Sequence, residues 1–518
     1  MNSRLSLLVT LLLLTSGAQC AKILAVFPMG APSHYILGST LLRGLAEKGH
    51  DVTMISPFSE KTPPKNGSYR DIVLTGVKEE HEERMKTMNV FDMGEANILL
   101  MGPLFFTTMV DLTDRTLGQP EVQKLIHSGE KFDVVIVEQF MNEAHKGFAK
   151  HFNAPLIVFS TIGASSWVNP LVGNPTMVSY DPEPLRGFSS KMTLYERYIN
   201  AFTYSYFQLI SHLYAYPQHD KILKKYFPNN MNLVDIMYNT SLVLLNSHPS
   251  TNLAVPYVPN MIDIGGFHVK PPQKLPDDLQ KFLDNSKEGV IYFSLGSNVK
   301  SVFLPEQKRE AILNAFSKLK VKVLWKWEED VLPGQPPNVR LGKWLPQQDI
   351  LAHPNVKLFI THGGLLSTIE TIYHGVPVLA IPIAGDQKLN AERIVNQGFG
   401  LKLRFADLTE ELLLEMINEL LTNPKYATNA KKRSEVFHDR MAKPLDTAVY
   451  WVEYVIRHGG APHLRIAGID LSWYQYFLVD IILIFSVTSV IVLYISLKLV
   501  KRLVSSCCRS KKQKIKTK

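Results

Sequence analysis

The sequence predicts an α/β protein with two similar halves, followed by one membrane-spanning helix. Short apolar runs recur between longer mixed segments in both halves, which is typical of parallel sheets buried on both faces. A proline-rich passage, 256–276, separates the halves and predicts an interdomain linker. A mostly apolar stretch near the C-terminus, 477–497, is about the length that crosses a bilayer as a helix.

The predicted strands restart after the linker. The first half opens with a strand at 22–27, a loop of proline and glycine, and a helix at 33–48 that ends at Gly49. The further strands predicted in this half are 52–56, 132–137 and 156–159. The strands predicted in the second half are 290–295, 322–327, 338–342, 357–360 and 378–381.

Two segments of the first half, 60–130 and 163–240, are rich in Met, Phe and Tyr without clear periodicity. We interpret them as helices and loops that shape a lipophilic pocket. Ordinary core packing is at least as good an interpretation for any single one of these residues.

Both ends of the chain carry targeting features. Residues 1–20 combine Arg4, an apolar run at 5–14 and the small-residue site Ala18-Gln19-Cys20, which predicts a secretory signal cleaved before Ala21. At the other end, aromatic residues precede the apolar stretch and basic residues follow it, so the basic side is expected to be cytosolic. The flanking residues are Trp473, Tyr474, Tyr476, Lys498, Lys501 and Arg502. Asp480 lies near the lumenal end and is given no functional role.

Composition excludes several classes of protein. A chain of 518 residues that is 46% hydrophobic and 20% charged is long enough for two full cores and is not disordered. The net charge of +9 is misleading, because the tail from Lys498 contributes nine basic and no acidic residues, so nucleic-acid binding has no electrostatic support. The three cysteines, Cys20 and Cys507-Cys508, leave no disulfide for the lumenal body, and lipidation of the pair stays open. Two glycosylation sequons begin at Asn66 and Asn239.

One βαβ unit, 359–387, carries a complete set of groups for a nucleotide sugar. A strand ends at His362, a Gly-Gly pair turns the chain into a helix, and a second strand delivers Asp386 and Gln387 at the sheet edge where α/β ligands bind. Glycines and free N–H groups at a helix start suit a diphosphate, and carboxylate and amide groups suit sugar hydroxyls. Alone, a Gly-Gly pair is usually a tight turn and an Asp-Gln pair a solvated loop; together, in this order, they indicate a site.

The whole unit resembles the signature of the UDP-glycosyltransferase family, and the resemblance covers nearly the whole chain. The matching residues are His362, Gly364, Ser367, Glu370, Pro377, Pro382, Asp386 and Gln387. The resemblance implies a GT-B fold, two Rossmann-like domains facing a cleft, with the donor held by the second domain and the acceptor by the first. It implies that His362 contacts a phosphate, Glu370 accepts from the ribose hydroxyls, and Asp386 with Gln387 holds the transferred sugar.

The family also supplies a catalytic base. Pro32-Ser33-His34-Tyr35 resembles the loop whose histidine deprotonates the acceptor hydroxyl, whereas position alone would favour a capping role for His34. The expected partner at the end of strand 132–137 is commonly Asp, and this chain has Glu138, which is expected to orient His34 across one extra methylene.

A third stretch, 344–347, resembles the uracil clamp of the family. By that resemblance Trp344 stacks on the base, the backbone of Leu345 bonds its edge and Gln347 reaches the ribose; from composition alone a core Trp is the usual interpretation. Ser297 belongs to a second short phosphate loop. Leu366 stands where related enzymes often place Asn, so backbone N–H groups, Ser367 and Ser297 are expected to carry more of the phosphate binding.

No cofactor or metal is expected, since no Asp-x-Asp sequence occurs and the UDP-sugar is a co-substrate. A nicotinamide dehydrogenase is the weaker enzyme alternative because no Gly-x-Gly-x-x-Gly is present. A non-catalytic protein that binds lipophiles is the alternative of another class, motivated by Glu138 and Leu366.

The resemblance therefore predicts an inverting hexosyltransferase that acts on small lipophilic acceptors, as in detoxification. Similarity to insect-type members favours UDP-glucose over UDP-glucuronate, which is kept as the alternative. The enzyme is expected in the endoplasmic reticulum membrane as a single-pass type I protein with lumenal domains, and a homo-oligomer is left open. The predicted parts are a signal peptide (1–20), an acceptor-binding domain (21–265), a linker (266–285), a UDP-sugar-binding domain (286–472), a transmembrane helix (473–500) and a basic cytosolic tail (501–518).

Overall fold

The structure, a computed structural model, describes residues 20–88, 90–93, 98–228 and 231–516. The described residues form two compact units, one ending at Arg465 and one beginning at Ile466. Of the predicted signal peptide, 1–20, only Cys20 lies within the described residues, and it is exposed.

The first unit contains two sheets of parallel strands. The first sheet has seven strands in the order β3-β2-β1-β4-β5-β6-β7. Their bounds are β1 Lys22–Val26, β2 Asp51–Ser56, β3 Ser68–Val73, β4 Val134–Glu138, β5 Leu156–Ser160, β6 Thr240–Leu245 and β7 Met261–Asp263. Every residue of β4, β5 and β6 is buried, which explains their continuous apolar sequences.

The second sheet has six parallel strands in the order β10-β9-β8-β11-β12-β13. Their bounds are β8 Val290–Ser294, β9 Lys322–Lys326, β10 Val339–Gly342, β11 Val356–Thr361, β12 Val378–Ala380 and β13 Gly400–Lys402. Both sheets place the carboxyl ends of their strands along one edge, where α/β proteins bind ligands.

Helices cover both sheets. Those from the first half are α1 Pro32–Glu47, α2 Val77–Thr87, α3 Val90–Met93, α4 Ile98–Leu117, α5 Pro120–Ile126, α6 Gly147–His151, α7 Leu194–Ile210, α8 Tyr216–Tyr226 and α9 Leu233–Met237. Those that follow are α10 Asp277–Asn285, α11 Glu306–Ser317, α12 Gln347–Leu351, α13 Leu365–His374, α14 Gln387–Asn396, α15 Glu410–Thr422, α16 Pro424–His438 and α17 Pro444–Arg457.

Helix α1 lies unusually close to the first sheet because it carries Gly38 at the contact. A Cβ atom at this position would lie 2.7 Å from both Met54 Cε and the Phe27 ring. Any larger residue would push the helix outward. This close approach fixes the first turn of α1 at the edge of the sheet.

The nine strands predicted from sequence are all present, within two residues at each end. Four strands were missed: β3, β6, β7 and β13. Strand β3 alternates exposed and half-buried residues at the sheet edge, so it lacks the apolar run of a buried strand. Strands β7 and β13 have three residues each, which is too short to show a pattern.

The predicted linker contains regular structure. Strand β7 lies within the proline-rich passage 256–276 and pairs with β6. Helix α10 lies within 266–285, and its buried Leu279 and Leu283 pack with Val290 and Tyr292 of the second sheet.

Each half also takes in side chains from the sequence of the other. Helix α17, near the end of the first unit, buries Val449 and Val452 in the same cluster as Leu41 of α1. In the opposite direction, Phe91 of α3 joins the core of the second half and stacks on Phe405 at 4.7 Å between ring centroids. The two halves are thereby tied together at several points besides the linker.

The second unit is helical. A short helix, α18 Trp473–Tyr476, is separated from α19 Val479–Lys516 by Leu478, whose φ is 55°. Within α19, Val479–Ser506 has a mean hydropathy of 2.3 and no buried share in its apolar window, so it is long and apolar enough to cross a membrane. The helix continues through the basic tail as far as Lys516.

Candidate active site

The structure brings His34 and Glu138 together. His34 lies in the first turn of α1, and Glu138 is the last residue of β4, next to β1 in the sheet. His34 Nδ1 and Glu138 Oε1 form a hydrogen bond. Glu138 is fully buried, and its Oε2 has no hydrogen-bond partner among the described residues. The His34 side chain keeps 15% of its surface exposed, so it can still meet a substrate.

The charge of this pair controls the protonation of the histidine. Burial alone lowers the pKa of His34, but the Glu138 carboxylate and, more weakly, the Asp386 carboxylate raise it above its ordinary value. Since Glu138 bonds Nδ1, the remaining ring nitrogen, Nε2, is the one that can accept a proton. Asp386 comes from the second half, so the two halves meet at His34.

A buried polar network holds the turn that follows β4. The Gln139 amide donates to Glu143 Oε1 at 2.7 Å and accepts from Lys146 Nζ at 2.5 Å. Lys146 also forms an ion pair with Glu143, and the Lys146 side chain is fully buried. Burial would raise the pKa of Glu143, and the ammonium of Lys146 lowers it below its ordinary value. His219 Nε2 donates to the carbonyl of Met141, which has a φ of 57°.

Aromatic rings extend from His34 into the first half. Phe140 meets the His34 ring edge-on at 5.0 Å between centroids. Phe140 also packs edge-on against Phe105 at 5.8 Å and Trp167 at 6.0 Å. Because Phe105 and Trp167 lie in the segments predicted to shape a lipophilic pocket, these residues give that interpretation a definite location beside the base.

Two glycines make room for His362, which lies at the end of β11. A Cβ atom on Gly296 would lie 2.5 Å from His362 Cε1, and one on Gly364 would lie 2.6 Å from His362 Nε2. The imidazole is thus held between two loops at the start of α13. Burial and the positive charge of Lys326 lower the pKa of His362 to about 4, so this histidine is neutral near pH 7.

Sequence reasoning missed Lys326. It is the last residue of β9, and its Nζ donates to Gly296 O at 2.9 Å and to Glu328 Oε1 at 3.0 Å. The available signal was a cation at the carboxyl end of a buried strand, beside the predicted phosphate loop. Ser297 of that loop is exposed.

The predicted ribose contacts are connected to one another. Gln347 Nε2 donates to Ser367 Oγ at 3.0 Å and to Glu370 Oε2 at 2.5 Å. Gln348, which was not predicted, donates to Glu370 Oε1 at 3.0 Å. Burial raises the pKa of Glu370, and the two amides oppose that rise. The carboxylate is therefore held in a fixed orientation.

His268 is another residue that sequence reasoning missed. Its Nε2 lies 3.8 Å from Glu370 Oε1, and its side chain is fully buried. Burial lowers the pKa of His268 to about 4, so it is a neutral neighbour of the carboxylate.

Trp344 is not a core residue, because 76% of its surface is exposed. The neighbouring Leu345 packs against the cluster that contains Tyr292 and Phe359. It also lies so close to Gly342 that a Cβ atom there would be 2.6 Å from Leu345 Cδ2. The loop is therefore anchored by Leu345 and presents the indole of Trp344 to solvent, as a stacking surface for a base requires.

Asp386 and Gln387 lie at the start of α14. Asp386 Oδ2 accepts from Asn390 Nδ2 at 2.8 Å, and Asn390 also donates to Gly363 O at 3.0 Å. Gln387 Oε1 accepts from the backbone N–H of Ile383 at 2.8 Å and of Ala384 at 2.9 Å. Burial raises the pKa of Asp386. Asn390 was not predicted, although it stands four residues after Asp386 on the same helix face.

The departure at Leu366 has a packing reason. Its side chain packs against the hydrophobic cluster of the first half, which includes Phe267 and Ile264. An amide there would lose its water in an apolar contact. Among the residues that the structure describes, no group of three or more His, Cys, Asp or Glu side chains is placed to hold a metal ion.

Two parallel-sheet halves, with a histidine–carboxylate pair on one and a nucleotide-sugar signature on the other, define a glycosyltransferase of the GT-B type. The fold is shared by the glycotransferase of kitacinnamycin, with a TM-score of 0.58 and 17% identity over 85% of this chain and 100% of that one. It is also shared by a UDP-glucose:anthocyanidin 3-O-glucosyltransferase in complex with UDP, with a TM-score of 0.57, 17% identity and the same coverage.

The model of the family "UDP-glucoronosyl and UDP-glucosyl transferase" matches residues 21–514, and the chain belongs to that family of enzymes. The chain is 40% identical over 504 residues to UDP-glycosyltransferase UGT5 of Dactylopius coccus, covering 95% of this chain and 94% of that protein. It is 38% identical to UDP-glucosyltransferase 2 of the same insect, covering all of both. It is 32% identical to UDP-glucuronosyltransferase 2A3 of Cavia porcellus, covering 92% of each. The predicted family and its insect-type character are confirmed.

The network behind the base gives a stability prediction. Replacing Lys146 with Met leaves the Glu143 carboxylate buried without its counter-ion, which is expected to cost about 3–5 kcal/mol. The double variant Lys146→Met, Glu143→Leu removes both charges and is expected to recover most of that loss. Thermal unfolding of the detergent-solubilised chain measures both. An unchanged melting temperature in the single variant would contradict the buried ion pair.

Proposed function

We propose that this enzyme transfers a hexose, glucose, from a UDP-sugar to a hydroxyl group of a small lipophilic acceptor, with inversion at the anomeric carbon. The observation that carries this proposal is the meeting of His34, paired with Glu138, and Asp386 from the opposite half. A base and a sugar-holding carboxylate are thereby close to one another at the edges of two sheets.

The proposed reaction is a single displacement. His34 Nε2 takes the proton of the acceptor hydroxyl, and the resulting imidazolium is stabilised by Glu138. The acceptor oxygen attacks the anomeric carbon from the face opposite the diphosphate. The new C–O bond forms as the bond to the phosphate oxygen breaks, and UDP leaves with the electron pair. No covalent intermediate is needed, so the configuration inverts.

The leaving diphosphate gains negative charge in this step. The N–H groups at the start of α13 and the loop that carries Ser297 are the proposed partners of that charge. His362 is neutral by its lowered pKa, so its contribution is a hydrogen bond from an uncharged imidazole. Lys326, beside the same loop, supplies the positive charge.

The acceptor class follows from the surroundings of the base. Phe140, Phe105 and Trp167 offer ring faces and edges within one side chain of His34. Such surfaces favour apolar and aromatic molecules over sugars or peptides. Conjugation of small lipophiles, as in detoxification, is the role that this pocket fits.

The donor sugar is proposed from the relatives. The similarity to a protein named UDP-glucosyltransferase 2 is 38%, and that to proteins named UDP-glucuronosyltransferase is 32% or lower among those compared. UDP-glucuronate remains the alternative donor. A non-catalytic role has lost its two motives, because Glu138 pairs with His34 and Leu366 has a packing function.

Replacing His34 with Ala tests the proposed base. We expect transfer from UDP-glucose to a simple phenol to fall by about 10²–10⁴-fold, because a positioned base contributes that much. UDP binding, measured by calorimetry, should stay unchanged because His34 lies in the opposite half. The matched control is His212→Ala, an exposed histidine of the same half. Near-normal turnover of the His34 variant would overturn the assignment.

Replacing Glu138 with Gln tests the pair through the pH profile. Activity requires neutral His34, so it rises as the pH passes the pKa of this group. Glu138 raises that pKa, and the neutral amide does not. The acidic limb of kcat/KM is therefore expected to move to lower pH in the variant, while the plateau rate falls because the imidazolium loses its stabiliser. An acidic limb that stays in place or moves upward would contradict the model.

We also propose that the first unit is lumenal and the basic tail cytosolic, in the endoplasmic reticulum membrane. Both sequon residues, Asn66 and Asn239, are exposed and thus open to glycosylation. In sealed microsomes, added protease should remove an epitope at the tail and leave the first unit intact, with glycan on at least one sequon. Permeabilised microsomes are the control. Protection of the tail with digestion of the first unit would reverse the topology.

A further inference from the structure

A narrow crevice lies beside Asp386, between the two halves. The first half contributes Ser165, Asp181 and Glu183, and the second half contributes Asp386, Asn390 and Arg393. The space measures about 20 Å³, which is the room of about one water-sized group. A single hydroxyl therefore fits at this point.

The wall from the first half is rigidly built. The backbone N–H of Glu183 donates to Asn200 Oδ1 at 2.8 Å, and Asn200 Nδ2 donates to the carbonyl of Asp181 at 2.9 Å. Ser166 Oγ donates to Glu183 Oε2 at 2.8 Å. Both acidic residues are thus fixed through their own backbone or side chain.

Ser165 indicates that this wall is prepared for a polar group. Only 3% of its surface is exposed, and its Oγ has no hydrogen-bond partner within the described ranges. Buried hydroxyls are nearly always hydrogen-bonded in native structures. A sugar hydroxyl entering the crevice would provide the missing partner.

The charge in the crevice is mainly negative. Three carboxyl groups line it, and Arg393 is the one cation among the lining residues. Burial lowers the pKa of Arg393, and the carboxylates of Asp181 and Asp386 oppose this. A further carboxylate entering the crevice would meet more repulsion than attraction.

We infer that Asp181 and Glu183 are specificity residues that favour a neutral hexose over a hexuronate in the sugar position held by Asp386. This inference rests on the proposed function, in which Asp386 contacts the donor sugar. It assigns the choice between UDP-glucose and UDP-glucuronate to the wall of the acceptor half, outside the nucleotide-sugar signature. A neutral hydroxymethyl group is accepted there, and a carboxylate is repelled.

The discrimination should depend on pH. Burial raises the pKa of Asp181 to about 6, opposed by Arg393. Burial raises the pKa of Glu183 to about 7; Asp181 adds to this, and Ser166 and Arg186 oppose it. Both groups gain negative charge between pH 6 and 8, so rejection of the uronate should strengthen across that range. Titration of His34 affects both donors alike and cancels in their ratio.

The experiment measures kcat/KM for UDP-glucose and UDP-glucuronate with one phenol, in the full-length enzyme and in Asp181→Asn, Glu183→Gln and the double variant. We expect the wild type to prefer UDP-glucose. The double variant should lower the glucose-to-glucuronate ratio by at least about tenfold, chiefly through better use of UDP-glucuronate. Asp235→Asn, an exposed acid of the same half, is the matched control and should leave the ratio unchanged.

The wild-type enzyme provides a second measurement that needs no variant. Its glucose-to-glucuronate ratio should rise from pH 6 to 8, and Glu183→Gln should flatten that rise. A ratio that is independent of pH, or unchanged in the variants while UDP-glucose is used well, overturns the specificity role and leaves the proposed function intact. A wild type that prefers UDP-glucuronate overturns the inference together with the proposed donor, and one that uses neither donor overturns the proposed function itself.

Discussion

The burial of the Glu138 carboxylate is the constraint on which the site depends. A carboxylate without water is stable only beside a compensating charge or donor, and His34 Nδ1 is the partner that the structure gives it. The sheet fixes Glu138 at the end of β4, so the histidine must come to it. Helix α1 can bring His34 there because Gly38 allows the helix to approach Phe27 and Met54 closely. Backbone packing and electrostatics therefore determine the same position.

The remaining geometry follows from how the halves hold each other. Helix α17 returns from the second half and completes the core of the first, while Phe91 crosses in the other direction and stacks on Phe405. Leu366 makes a third crossing at the start of α13, next to the predicted phosphate site. Because these contacts are apolar and lie on different elements, they keep Asp386 near His34 in the absence of substrate.

Local sequence pattern predicted what is local in the structure. Buried strands such as β4 and β11 appear as apolar runs, and the signature at 359–387 carries most donor residues within one βαβ unit. Edge strand β3 and the three-residue β7 and β13 have no such run and were missed. Lys326 and His268 were missed for another reason. Each reaches the site from a separate element, so only the fold places them beside His362 and Glu370.

The crevice shows the same limit more sharply. Asp181 and Glu183 stand in a proline-containing loop whose sequence suggests only a solvated turn. They face Arg393, more than two hundred positions along the chain, and no periodicity could connect them. Single-sequence reasoning about the donor sugar was therefore confined to Lys388, the nearest cation in the signature.

The two histidines of the cleft show how one residue type serves two ends. His34 and His362 are both partly or fully buried, and burial lowers the pKa of each. At His34 the carboxylates of Glu138 and Asp386 outweigh burial, so the imidazole gains affinity for a proton. At His362 the neighbouring charge is the ammonium of Lys326, which adds to the effect of burial. One histidine is thus suited to take a proton from the acceptor, and the other stays neutral beside the phosphates, so the proton and the leaving charge are handled at opposite sides of the sugar.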